Sequence, residues 1–239
     1  MINNIQQVYF IHKIIVVISL ILFIYILFGI PKSHDDRKLY IPLIIYSFVA
    51  LYRSICMTNE TEKLCLINSD FCQPIINRIL ATIAETSIGF FTIIIISKIF
   101  GVNIPLFLGG LIIIAQILCW IGVVTSNTKY NAVEESLWVI FFGIILIYII
   151  FSKSCQSVHK FIIILGIICY LLFMIIIDVP HYFLNKSKNT GSFTNCKYSD
   201  NVDDWKYVIV WQGLYFTMGV LFFLYLWKIN LENGTCFTF

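Results

Sequence analysis

Charge is what this chain has least of. Only 12% of its 239 residues are Asp, Glu, Lys or Arg, against 59% hydrophobic residues and a mean hydropathy of +0.90. A water-soluble domain carries roughly twice that share of charge, so a soluble globular protein is excluded. The polar stretches between the apolar runs are too short to hold a second folded domain. A net charge of +3 is spread along those stretches, with no basic patch for nucleic acid. The 8 cysteines include no Cys-x-x-Cys pair, the pattern of a thiol-redox enzyme. The four histidines, His12, His34, His159 and His181, are divided between the two ends of the apolar runs rather than gathered as zinc ligands. No internal repeat marks the inverted halves of a secondary transporter.

What the chain does have is a series of long apolar runs. Residues 14–30, 39–57, 74–97, 104–124, 132–151, 161–179 and 207–228 each match the thickness of a hydrocarbon core. The fold class read from this pattern is all-α: a polytopic integral membrane protein, a bundle of seven transmembrane helices forming one membrane domain over 1–239. The first run is read as an anchor rather than a cleaved signal. It is long, it follows a single Lys13, and no Ala-x-Ala-like pair of small residues precedes Pro31. The last run holds no Lys between Lys206 and Lys228, which excludes a mid-membrane Schiff-base lysine.

The third run, within Cys72–Ser97, stands apart because it carries Arg78 and Glu85 inside apolar sequence. Each such charge costs about 2.5–3.5 kcal/mol at the centre of an inserted helix, so neither belongs against lipid. At helical spacing Arg78, Thr82, Glu85, Thr86 and Gly89 share one polar, small-residue stripe. If Glu85 is ionised, only Arg53 and Arg78 lie at a depth to pair with it. Otherwise it is protonated and suits proton handling.

Following each run's direction gathers the other intramembrane polar residues toward one end, the end of the N-terminus. Arg53 closes the second run and Arg78 opens the third. Glu134, Glu135 and Trp138 open the fifth, Asp178 and His181 close the sixth, and Trp211 and Gln212 open the seventh. Glu85 and Gln116 lie nearer the middle. The opposite halves are almost wholly Ile, Leu, Phe and Val. This pattern predicts a polar cavity open to the N-terminal side. The competing reading is a set of buried ion pairs that fix helix register, with tryptophans in an interfacial belt.

Orientation does not follow from the cations, because Lys and Arg are balanced between the two sides. Cys65, Cys72 and Cys196 lie in loops of the N-terminal side, with Cys56 at the end of the second run. Cys196 is therefore expected to pair with Cys65 or Cys72, and that side to be exoplasmic or lumenal with the C-terminus cytoplasmic. The sequons Asn59-Glu-Thr and Asn185-Lys-Ser fall on the same side, and Asn233-Gly-Thr on the other. Cys119 and Cys169 fall within runs and are read as packing residues.

Three functions compete on this pattern. The leading one is binding or transport of a small polar or anionic ligand, or of a proton. There Arg53 and Arg78 supply positive charge, Glu85 couples to a proton, and the tryptophans form a wall. The second is an enzyme acting on a lipid-like substrate through the carboxylates and His181. The third is a structural or assembly protein. The expected partners are the lipid bilayer and a small-molecule or lipid ligand. No motif calls for a cofactor.

Overall fold

Among the described residues, seven helices are long and apolar enough to cross a membrane. The computed structural model describes residues 4–152, 157–184 and 192–233. The sequons beginning at Asn185 and Asn233, and the cations Lys153, Lys186 and Lys188, lie wholly or partly outside them.

The helices are α1 (Ile5–Phe28), α2 (His34–Ile55), α3 (Pro74–Phe100), α4 (Gly109–Thr125), α5 (Thr128–Phe151), α6 (Ser157–Phe173), α7 (Val179–Leu184), α8 (Lys206–Trp211) and α9 (Met218–Asn233). A five-residue π-helical turn, Met174–Asp178, joins α6 to α7 without a break. A six-residue one, Gln212–Thr217, joins α8 to α9. Three two-residue strands, β1 (Thr58–Asn59), β2 (Leu64–Cys65) and β3 (Lys197–Tyr198), form a small sheet. β1 and β2 pair antiparallel, β2 and β3 parallel.

The apolar runs mark these helices, but capping sets their ends. α1 begins nine residues before the run at 14, because the Asn4 side chain accepts the Gln7 N–H and starts the helix through polar Gln6, Gln7 and His12. α2 starts at His34 rather than 39, with Asp35 and Asp36 in a first turn where negative charge meets the helix dipole. It ends at Ile55, so Cys56 and Met57 belong to the loop. α3 runs to Phe100 and ends at Gly101, whose φ of 61° is left-handed, and the Val102 N–H closes back on the Ser97 carbonyl.

The sixth run continues past Asp178 and through Pro180 to Leu184. Pro180 has no N–H to offer the Ile176 carbonyl, and an α-helix would break there. The chain instead shifts to wider turns, with the Val179 N–H bonded to the Met174 carbonyl. In the last helix the Met218 N–H reaches the Gly213 carbonyl in the same way, and the Tyr46 hydroxyl donates to the Tyr215 carbonyl at 3.0 Å. Gly219 makes room for that hydroxyl, since a Cβ there would lie 2.7 Å from it.

The chain divides into two compact units, with boundaries inside α3 and α9. The first is Met1–Ser87 with Lys188–Leu221, and the second is Ile88–Ser187 with Phe222–Phe239. In the first unit, Val8 and Ile15 of α1 pack with Met57, Leu64, Leu66, Trp205 and Ile209. The start of α1 therefore lies at the same end as the 58–71 loop and the segment before α8. Farther along α1, Ser19 bonds Ser54 at 2.9 Å and Thr217 at 3.3 Å, tying three helices together through hydroxyls. In the second unit, α4 and α5 pack against each other, and α5 also packs against α6 and α7. Trp138, Phe141 and Phe142 of α5 form an aromatic core that Phe142 extends to Tyr170 of α6, 4.8 Å away.

Candidate functional site

The eleven candidate residues divide between the units. Arg53, Arg78, Glu85, Trp211 and Gln212 belong to the first; Gln116, Glu134, Glu135, Trp138, Asp178 and His181 belong to the second.

In the first unit the charges form a chain of alternating sign. Arg53 Nη2 meets Glu60 Oε1 at 2.8 Å, and Glu60 Oε2 lies 3.7 Å from Arg78 Nη1. Arg78 Nη2 donates to Glu85 Oε2 at 3.1 Å. All four side chains are at least nine-tenths buried. Arg78 and Glu85 are two turns apart on α3, about 10 Å along the axis, a gap that the extended arginine spans. Its Nε donates to Thr82, one turn along the same stripe. Glu85 is thus ion-paired in this structure. Arg53 also lies under aromatic rings, 5.0 Å from the centre of Trp211 and 4.7 Å from that of Phe216. Gln212 donates its amide to the Ala50 carbonyl and to Ser54 Oγ, joining the π-helical turn to α2.

Glu60 is the residue that sequence reasoning missed. It sits in the 58–71 loop, among residues that read as a solvated connection. Two disulfides, Cys56–Cys72 and Cys65–Cys196, pin that loop, with Cα separations of 4.7 and 5.6 Å. Cys196 takes Cys65, one of the two partners left open by the sequence, and Cys72 takes Cys56. The second bridge carries β3 onto β2, and Asn77 of α3 donates to the Cys56 carbonyl and to Thr58. So held, the loop turns Glu60 inward. The available signal was its place between two cysteines at the mouth of a helix that ends in Arg53.

The second unit gathers carboxyls instead. Asp178, at the end of its π-helical turn, is fully buried, and Glu134 and Glu135 of α5 are nearly so. Glu135 is within hydrogen-bonding range of Asp178, and among the described residues no Lys or Arg forms an ion pair with Asp178. Among the described residues no N–H or O–H donates to either Asp178 oxygen. Two carboxyls can hydrogen-bond each other only when one carries a proton. Asn131 donates to Glu134 at 3.4 Å, and half-buried Tyr182 lies within electrostatic range of Asp178, Glu135, Glu134 and Cys119. Gln116 is buried on α4. His181 is half-buried on α7 with its ring against Tyr182, and Trp138 is buried against phenylalanines. Among the described residues, no three His, Cys, Asp or Glu side chains converge in a set that could hold a metal ion.

No protein-family model matches the chain, and no curated protein and no solved structure matches it.

Proposed function

We propose that this is a multi-pass membrane protein that binds or transports protons, and that Glu135 and Asp178 form the site. The observation that carries the reading is Asp178: fully buried, beside a second carboxyl, and in no ion pair with a Lys or Arg among the described residues. Such a pair costs several kcal/mol to bury ionised, so evolution of a merely structural core would replace it with apolar residues. The π-helical turn that ends in Asp178 packs against α5, the helix that carries Glu135.

The membrane reading rests on where the apolar side chains point. α1 buries only Val8, His12, Ile15, Ser19 and Ile26, a stripe with spacings of three, four and seven. From Ile14 onward most of the other residues of that helix, including Val17, Ile21 and Ile24, are exposed and apolar, which suits hydrocarbon and not water. The two disulfides favour an oxidising compartment for the end that bears them, which supports an exoplasmic or lumenal N-terminal end.

A second reading has one specific observation in its favour. The charge chain of the first unit joins each of its arginines to a carboxylate, as expected of a lock that holds helices in register. That role and a proton site in the second unit are compatible.

Infrared difference spectroscopy of the reconstituted protein tests the proposal. The wild type should show the carbonyl band of a protonated, dry carboxyl at neutral pH, and the Asp178→Asn and Glu135→Gln variants should lose it while remaining folded. Proteoliposomes loaded with a pH dye should pass protons down an imposed gradient, and either variant should abolish the flux. A band and a flux that survive Asp178→Asn would sink the assignment.

A further inference from the structure

Glu60 occupies the space between two guanidiniums, giving one carboxylate oxygen to each: 2.8 Å to Arg53 and 3.7 Å to Arg78. It is the one member of the four-residue charge chain that comes from a loop rather than from a helix. Without it the helices alone bring together Arg53, Arg78 and Glu85, one positive charge in excess. The hydrogen-bonding capacity of Arg53 is also incompletely met. Arg53 Nη1 is buried and has no hydrogen-bond partner among the described residues, although its side chain is only 7% exposed. A guanidinium offers five donors in a fixed fork, and an unmet buried donor costs about 1–3 kcal/mol. The Trp211 and Phe216 faces close the seat on another side and favour a flat cation with a flat ligand.

We propose that Arg53 and Arg78 form a binding site for a carboxylate ligand, and that the disulfide-pinned loop plugs it with Glu60 as a built-in occupant. This site is independent of the carboxyl pair proposed for protons, and its failure leaves that pair untouched. The ligand class follows from the occupant: a carboxylate that reaches two guanidiniums with separate oxygens. Loss of the plug exposes the site to carboxylates from solution or from a lipid headgroup.

The test uses Glu60→Ala in the full chain, purified in detergent, with acetate as the probe and chloride at equal ionic strength as the control. Acetate should raise the thermal midpoint of E60A in proportion to the logarithm of its concentration and leave the wild type unmoved. Adding Arg53→Gln should remove the response. Nanodiscs with and without phosphatidylserine distinguish the sources: stabilisation of E60A by the serine lipid without acetate assigns a headgroup ligand. Its absence there, with an acetate response, assigns a soluble one. Should E60A fail to fold, Glu60→Gln keeps the loop's shape and removes the charge, and it should show a weaker acetate response. No acetate or lipid dependence in either variant, or an equal response in the wild type, overturns the proposal.

Discussion

Removing Arg78 should be among the most damaging single changes in this protein, and its structural partners give the size. At an effective dielectric constant of about 20, unit charges attract by about 5 kcal/mol at the 3.1 Å that separates Arg78 from Glu85, and by about 4.5 kcal/mol at the 3.7 Å to Glu60. Desolvation of buried groups offsets much of that attraction, so the intact network adds little net stability. Its disruption is another matter, because a stranded buried charge keeps the desolvation cost and loses the compensation. Arg78→Leu leaves Glu85 without the cation at its Oε2 while Glu60 keeps Arg53, and it should destabilise by about 3–5 kcal/mol. Glu85→Gln leaves Arg78 with Glu60 and should fall at the lower end, about 3 kcal/mol. The double variant strands neither group of this pair, so at least about 2 kcal/mol of the summed loss should return as coupling. Thermal and denaturant unfolding of the four proteins in one detergent gives the cycle. Single losses that add to the double within about 0.5 kcal/mol would refute a structural pair. A near-native stability of Glu85→Gln alone would restore this residue as a proton-handling group, the role its sequence position first suggested.

Three further outcomes are expected. Peptide mapping without reduction should find Cys56 linked to Cys72 and Cys65 to Cys196, with Cys119 and Cys169 alkylated as free thiols. Free thiols throughout would place this end in a reducing compartment. In the chain-entropy picture a separation of 131 is worth about 5 kcal/mol and one of 16 about 3 kcal/mol, so Cys65→Ala with Cys196→Ala should cost more than removing the shorter bridge. Reporter fusions at residue 3 and after residue 239 should report opposite faces of the membrane, and both on one face would break the seven-span topology.

The one-dimensional pattern was sufficient for seven helices, because hydropathy over some twenty residues is a local property that tertiary contacts do not alter. It also singled out Arg53, Arg78, Glu85, Glu135 and Asp178, since an ionisable group in an apolar run is conspicuous wherever the helix packs. Partnership was not legible there. Glu60 reads as one more polar loop residue, and only two long-range covalent links turn it inward to the arginines. The pairing of Cys65 with Cys196 depends on β3 reaching β2 across 131 residues, a contact that no spacing rule contains. Helix ends moved by as much as nine residues, because caps such as Asn4 and Gly101 act through single hydrogen bonds that hydropathy ignores. The run ending at 179 did not show that the helix continues through Pro180 to Leu184, with a π-helical turn just ahead of it packed against α5. Composition decided that charges would be few and buried; the tertiary structure decided which meet an opposite charge and which meet their own kind.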